Sequence, residues 1–275
     1  MRVDAHQHYW RFDAVRDSWI TPEMGVLRRD FLPDDVAPVL GAARIDAVVA
    51  VQADQSDAET AFLLSLAARH DFIRGVVGWV DLRAPDLARR LSVYQGAPLL
   101  KGFRHIAQAE PDDFLARPDI IAGVSQLGLR GFTFDILIYP QQLASAERLV
   151  ASCPGVQFIL DHCAKPPIAT GDLTLWRGGF RRLARHDNVM CKVSGLVTEA
   201  SWRDWSDADL MACLDVAAEA FGPERLMFGS DWPVCLLAAS YERVASVIDR
   251  WSERLTTQER ERVFGGTAQL AYRLT

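Results

Sequence analysis

Short apolar segments rich in β-branched residues alternate along the chain with segments whose apolar residues recur at helical spacing. The apolar segments are predicted to be eight strands: Val3–His6, Ala47–Ala53, Ile73–Leu82, Leu99–Ile106, Leu129–Leu137, Val156–His162, Val189–Leu196 and Leu226–Asp231. The amphipathic segments are predicted to be helices: Ala58–His70, Asp86–Tyr94, Pro118–Leu127, Gln142–Cys153, Leu173–His186, Asp207–Phe221 and Ser240–Leu255. Strands interleaved with helices favour parallel pairing, so we predict an α/β fold, a single-domain (β/α)8 TIM barrel.

An open, doubly wound sheet is the main alternative to a barrel. That fold carries a G-x-G-x-x-G turn after its first strand, and this chain has none. The longest connection, from Tyr9 to about Leu40, is rich in aromatic residues and proline and is predicted to be a loop over the barrel mouth. No linker or low-complexity stretch divides the chain, so we expect residues 1–275 to form one domain.

Charge and composition exclude several classes of partner. The formal net charge of −6 argues against nucleic acid, which requires concentrated positive charge. No run of 18 apolar residues is present, so we expect no membrane span, and the polar Asp4 and His6 argue against a signal peptide. The five cysteines show no C-x-x-C pairing, which fits reduced thiols and a cytoplasmic protein.

Polar side chains lie at the ends of five predicted strands, where the active sites of such barrels form. These strand ends are His6–His8, Lys101–His105, Asp161–Lys165, Lys192–Ser194 and Ser230–Asp231. Any one such residue could simply cap a helix, satisfy the core or be solvated. Their coincidence at five strand ends favours a functional site.

His6 and His8 are separated by one residue, so their side chains point to the same side of the first strand. With His162 and Asp231 they form a plausible ligand set for one Zn²⁺-like ion. Such an ion would lower the pKa of its bound water to about 7. Without metal, Asp231 could act as general base toward a water held by the histidines. Either arrangement delivers hydroxide to an electrophilic carbon.

The chain contains only three lysines, and all three lie in these strand-end motifs: Lys101, Lys165 and Lys192. A compact ammonium group is suited to binding a carboxylate, a hydroxyl or a polarised carbonyl. The alternative is an ion pair with Asp161 or another nearby acid.

Six segments together resemble the amidohydrolase superfamily, and more narrowly its branch of sugar-lactone hydrolases: Asp4–Trp10, Lys101–His105, Leu160–Pro166, Cys191–Leu196, Phe228–Pro233 and Phe264–Ala268. The resemblance covers nearly the whole chain and implies hydrolysis of a small-molecule lactone on a (β/α)8 barrel. It implies that Asp231 activates water beside His6, His8 and His162. It also makes Lys101, Arg104, His105 and Lys192 candidates for substrate binding.

Aromatic residues at the predicted mouth, Tyr139 and Trp232 among them, are further candidates for contact with a polyhydroxylated lactone. Binuclear members of the superfamily also use a strand-five histidine, which Phe132–Asp135 lacks. We therefore expect at most one metal ion, zinc being the most suitable, and no organic cofactor.

Three other functions stay open. A dicarboxylate or muconolactone-type lactone would require convergent arginines, and Arg104 is the clearest arginine at a strand end. A nonoxidative decarboxylase shares the barrel and the paired histidines. A ligand-binding barrel without turnover is the third. The sequence does not decide between a monomer and a homodimer.

Overall fold

A computed structural model describes residues 1–275 and contains eight parallel strands that pair in chain order. They are β1 Val3–Gln7, β2 Ala47–Val51, β3 Ile73–Gly78, β4 Leu100–His105, β5 Thr133–Ile136, β6 Phe158–Leu160, β7 Val189–Val193 and β8 Leu226–Phe228. A parallel bridge between Gln7 and Trp232 joins the ends of the first and last strands. The predicted α/β fold, a single-domain (β/α)8 TIM barrel, is confirmed.

Helices separate most of the strands. They are α1 Pro33–Ala42, α2 Asp57–Ala67, α3 Leu87–Ser92, α4 Pro118–Gly128, α5 Leu143–Ser152, α6 Thr174–Leu183, α7 Leu196–Glu199, α8 Asp207–Phe221, α9 Tyr241–Ser252, α10 Thr257–Glu261 and α11 Thr267–Tyr272. All seven predicted helices are present, and their bounds differ from the prediction by up to three residues. The predicted strand Leu129–Leu137 begins too early, because Leu129 is exposed and caps the end of α4, and β5 begins at Thr133.

The connection after β1 is only partly the predicted loop. It contains a 3₁₀ segment, Pro22–Leu27, and then the helix α1. Proline opens this helix and the Asp35 carboxylate accepts a hydrogen bond of 2.8 Å from the Leu32 N–H, an arrangement typical of a helix start. The loop prediction was therefore wrong for residues 33–42, where these start signals outweigh the surrounding turn residues.

The barrel interior is filled at the amino ends of the strands. A small buried cluster combines side chains of β1, β2, β3, β6, β7 and β8 with Ala268, Ala271, Tyr272 and Leu274 from the end of the chain. A larger cluster of 69 buried residues forms most of the remaining core. The packed amino end leaves the carboxyl ends of the strands for a site. No helix combines the length and the apolar character that crossing a bilayer requires.

Candidate active site

Three imidazoles and one carboxylate converge at the carboxyl ends of the strands. The Nε2 atoms of His6 and His8 lie 3.1 Å apart. The Oδ1 atom of Asp231 lies 3.4 Å from Nε2 of His8 and 3.8 Å from Nε2 of both His6 and His162. All four side chains are buried. The structure thus brings together the four residues predicted to form the catalytic centre.

Hydrogen bonds fix the orientation of two of these rings. His8 Nδ1 lies 2.8 Å from the carbonyl oxygen of Val51, which can only accept, so this nitrogen carries the proton. In the neutral form of the ring, the Nε2 atom of His8 then presents a lone pair to the centre. His162 Nδ1 lies 2.9 Å from the Ser194 hydroxyl, which can accept in the same way. Such contacts to the outer nitrogen orient histidines that bind metals.

The third ring, His6, is oriented by Arg104 and Asp161. The Arg104 guanidinium, which can only donate, lies 3.3 Å from His6 Nε2, so this nitrogen also carries a lone pair. The opposite nitrogen, Nδ1, lies 3.2 Å from the Lys192 ammonium and 3.3 Å from Asp161 Oδ1. Burial lowers the pKa of His6 well below its usual value and lowers the pKa of His162 to about 4. Both rings are neutral at physiological pH.

Asp231 is held as an anion. Burial raises its pKa, but the surrounding imidazoles of His162, His8 and His6 outweigh burial and bring it below its ordinary value. Its backbone is in the left-handed region, with φ of +59°, and its N–H donates a 3.0 Å hydrogen bond to the carbonyl of His6. The ends of β1 and β8 thereby set the position of the carboxylate.

The donor set fits one metal ion. Two lone pairs that face each other at 3.1 Å repel unless a cation or a proton lies between them. Nitrogen and oxygen ligands about 2 Å from one tetrahedral ion are separated by roughly 3.3 Å, which is close to the spacings seen here. His6, His8, His162 and Asp231 are the residues that could hold the ion. Asp161 could form a second group with His6 and His162, but Lys192 occupies its Oδ1 at 3.0 Å.

A cavity of about 320 Å³ opens above this centre. His8, His162, Asp231 and Arg104 line its floor. Its remaining polar lining consists of Gln55, Gln108, Lys165 and Thr198, and larger apolar side chains on its wall include Trp19, Ile106, Leu137 and Val234. This volume and mixed lining suit a small, partly polar molecule.

Two predicted substrate contacts lie outside the cavity because of their position in the barrel. Lys101 is at the start of β4, and its ammonium donates to the carbonyl of Arg273 at 3.2 Å, at the opposite end of the barrel. Lys192 is fully buried, 2.6 Å from Asp135 and 3.0 Å from Asp161. The structure therefore brings neither lysine to the cavity: Lys101 lies at the opposite end of the barrel, and Lys192 is buried between two carboxylates.

Three further predicted contacts also point elsewhere. His105 faces away from Arg104, its neighbour in β4, and lies 3.0 Å from Glu110. The buried Trp232 ring packs edge-on against Phe31. Tyr139 lies beneath the Lys165 ammonium, which is 5.3 Å from its ring centre, and does not line the cavity. Only Arg104, of the six predicted substrate contacts, lines the cavity.

Several residues that matter for the site were not predicted to be part of it. Asp161 lies between two cations, 3.1 Å from Arg104 and 3.0 Å from Lys192. Burial raises the pKa of Asp161, but Lys192, His6 and Arg104 lower it well below its usual range. Its place beside His162 at a strand end was the available signal. Gln108 reaches the cavity through a loop conformation that a sequence pattern does not reveal, whereas Lys165, which also lines the cavity, is one of the three lysines noted at predicted strand ends.

The model of the amidohydrolase family matches residues 3–274 of this chain. An L-fucono-1,5-lactonase from Burkholderia multivorans is 46% identical, over 100% of this chain and 96% of that protein. Another L-fucono-1,5-lactonase, from Burkholderia ambifaria, is 34% identical over 99% of this chain and 96% of that protein. The crystal structure of an amidohydrolase from Burkholderia multivorans with bound zinc has a TM-score of 0.97 and 46% identity, and each chain is covered completely.

Proposed function

Because the chain belongs to the amidohydrolase family, we propose that it is a lactonase that opens a sugar lactone, such as L-fucono-1,5-lactone, to the aldonic acid. The observation that carries this proposal is the convergence of the Asp231 carboxylate with the imidazoles of His6, His8 and His162 beneath one cavity, which Asp231, His8 and His162 line. The two L-fucono-1,5-lactonases support the same substrate class.

One zinc ion completes the proposed site, held by His6, His8, His162 and Asp231. The facing lone pairs support this, as does the zinc in the similar Burkholderia multivorans structure. When bound, zinc polarises a carbonyl oxygen and lowers the pKa of water.

The residues of the chain account for the movement of protons. The Asp231 carboxylate takes a proton from the attacking water as the water oxygen bonds to the lactone carbonyl carbon. The bond from that carbon to the ring oxygen then breaks, and Asp231 returns the proton to the departing oxygen. Arg104 donates toward the carbonyl oxygen from beside His6. The aldonic acid ionises at neutral pH, so each turnover releases one proton.

A dicarboxylate lactone is a weaker candidate than a neutral sugar lactone. Two substrate carboxylates require several cations that can approach them. Two cations line the cavity, and each already pairs with an acid: Arg104 with Asp161 at 3.1 Å and Lys165 with Glu199 at 3.1 Å. The apolar side chains of Ile106, Leu137 and Val234 fit a less charged ligand.

A pH-indicator assay of purified protein on a panel of aldonolactones tests the proposal. We expect acid release from L-fucono-1,5-lactone without release of carbon dioxide. Asp231→Asn removes the proton acceptor and should lower kcat at least about a thousandfold, while circular dichroism reports an intact fold. Asp187→Asn, an exposed change just before β7, is the matched control and should keep full activity.

Three outcomes would refute the proposal. Wild-type protein that opens no aldonolactone on the panel would refute it directly. Carbon dioxide release would favour the decarboxylase instead. Activity that survives Asp231→Asn would remove the carboxylate from the mechanism.

A further inference from the structure

Residues 162–165 form a left-handed turn, an unusual conformation for residues other than glycine. Their φ angles are +53°, +51°, +56° and +50°, and the turn closes with a 2.8 Å hydrogen bond from the Lys165 N–H to the His162 carbonyl. Each such residue is disfavoured by roughly 1–2 kcal/mol. Backbone strain of this kind persists where surrounding structure enforces it, often at functional sites.

The turn places two side chains in the cavity and two in the core. Residues three apart lie on the same side of a tight helical turn, and both His162 and Lys165 line the cavity. Cys163 and Ala164, between them, are completely buried in the apolar core. The strained backbone thus carries an ammonium group to the cavity wall together with a member of the catalytic centre.

The Lys165 ammonium has donors to spare. Its anionic partner is Glu199, at 3.1 Å, and its side chain is 17% exposed. An ammonium has three N–H donors, so one ion pair leaves two for a ligand. Lys192 differs, because two carboxylates surround it and it has no access to solvent. Lys165 is the lysine that can meet a substrate.

Gln108 offers the complementary group on the same cavity. Its side-chain oxygen Oε1 is buried and has no hydrogen-bond partner in the protein. A buried acceptor left unpaired is unfavourable by about 1–3 kcal/mol, so a ligand O–H that donates to it recovers that energy. The backbone is fixed, because the Gln108 N–H donates to the Leu137 carbonyl at 2.9 Å.

We propose that Lys165 and Gln108 bind the hydroxyl groups of the lactone ring, an inference that rests on the proposed function. A hydroxyl both donates and accepts, and the cavity wall supplies an ammonium donor and an amide acceptor. The carbonyl reacts elsewhere, on the floor, where Arg104 lies 3.3 Å from His6. A ring without hydroxyls leaves the Gln108 oxygen without a donor and leaves the remaining N–H groups of Lys165 without an acceptor, so these two residues select polyhydroxylated lactones.

Two variants and two substrates test the inference. Lys165→Met and Gln108→Leu remove the polar ends and keep similar volume. L-fucono-1,5-lactone carries ring hydroxyls, whereas δ-valerolactone has the same six-membered ring without them. We expect each variant to lower kcat/KM for the sugar lactone about ten- to a hundredfold, mainly through KM, and to change the value for δ-valerolactone less than about twofold.

Lys101→Met is the matched control, since it removes a lysine at the opposite end of the barrel and should leave both substrates unaffected. Should Lys165→Met fail to fold, Lys165→Gln tests the same contact with a neutral polar end. If Lys165→Met has the same kinetics as Lys101→Met, Lys165 does not bind the substrate. If Gln108→Leu has the same kinetics as wild type, Gln108 does not bind it.

A loss confined to kcat, or equal losses on both lactones, would overturn hydroxyl recognition while leaving the lactonase proposal intact. If δ-valerolactone is not turned over, the kinetics on the sugar lactone alone decide the test: a rise in KM supports hydroxyl recognition, and a loss confined to kcat contradicts it. Wild-type protein without activity on any aldonolactone is a distinguishable result, which refutes the proposed function and this inference together.

Discussion

Gly195 allows the His162 ring to lie directly against the backbone that follows β7. Its φ is +62°, and a Cβ atom at this position would lie 2.5 Å from His162 Nδ1. Gly195→Ala must therefore displace the ring that carries the third Nε2 atom of the centre. We expect kcat/KM on the sugar lactone to fall at least about a hundredfold, with a lower zinc content by elemental analysis.

Gly171→Ala separates the steric effect from the backbone effect. Gly171 has φ of +74°, but a Cβ atom there meets nothing within 4 Å. The Gly171→Ala variant should lose roughly 1 kcal/mol of unfolding free energy, measured in urea, and keep full activity. Equal losses of activity in both glycine variants would contradict the clash with His162.

Single residues show how far motif position predicts a site. The convergence of His6, His8, His162 and Asp231 could be predicted, because strand ends meet at one rim of a barrel. The same reasoning failed for Lys101, since a motif within a strand does not state which end of the strand a residue occupies. The position of Lys165 at the cavity depends on the left-handed turn of residues 162–165, which the residue types in that segment do not predict.

Adjacent strands contribute a buried network of charges beneath the cavity. Asp135 on β5 contacts Lys192 on β7 at 2.6 Å, and Lys192 contacts Asp161, just after β6, at 3.0 Å. Asp161 in turn contacts Arg104 on β4. Burial raises the pKa of Asp135 to about 6 even though Lys192 opposes the rise. Because Asp161 also contacts His6, four neighbouring strand ends fix one ring of the catalytic centre.

The first turn of α2 contains a buried acid, Glu59, whose pKa is raised. Glu59 accepts a 3.0 Å hydrogen bond from the Ala53 N–H. Burial raises the pKa of Glu59 to about 7. Asp54 adds a smaller rise to this pKa, and Arg16 a smaller fall. The unfolded chain loses this proton near pH 4.5, so the contribution of Glu59 to stability declines as pH rises from about 4.5 to 7. The total decline is about 3 kcal/mol.

Glu59→Gln keeps a carbonyl acceptor for the Ala53 N–H and removes the charge. We expect the variant to gain stability relative to wild type by about 2 kcal/mol between pH 5 and pH 8, measured by urea unfolding at both values. A difference between the two proteins that stays constant with pH would show that Glu59 ionises normally in the folded state.

For the whole molecule, the alternation of strand-like and helix-like apolar patterns predicted a closed barrel with its strands in chain order. Eight strands separated mostly by helices have few parallel arrangements. The pattern did not predict how the amino end of the barrel is closed. That role belongs to the end of the chain, where α11 brings the Tyr272 hydroxyl to Asp135 at 2.6 Å. Short helices such as α7, α10 and α11 contain too few turns to show a clear period.

Zinc should stabilise the whole barrel, because its proposed ligands come from segments near both ends of the sequence, His6 and His8 at the start and Asp231 near the end. An ion at a hundred times its Kd stabilises the folded state by about 2.7 kcal/mol. For a chain of this length we expect a Tm roughly 5–10 °C higher with zinc than after chelation. Calorimetry of chelated protein, with and without added zinc, measures the difference.

His8→Ala is the control for the effect of zinc on stability. It removes one nitrogen ligand, so its Tm should respond to zinc much less than that of wild type. A chelated wild-type protein with an unchanged Tm and full lactonase activity would contradict a bound ion. The water would then be activated by Asp231 alone, and the imidazoles would serve to hold it in place.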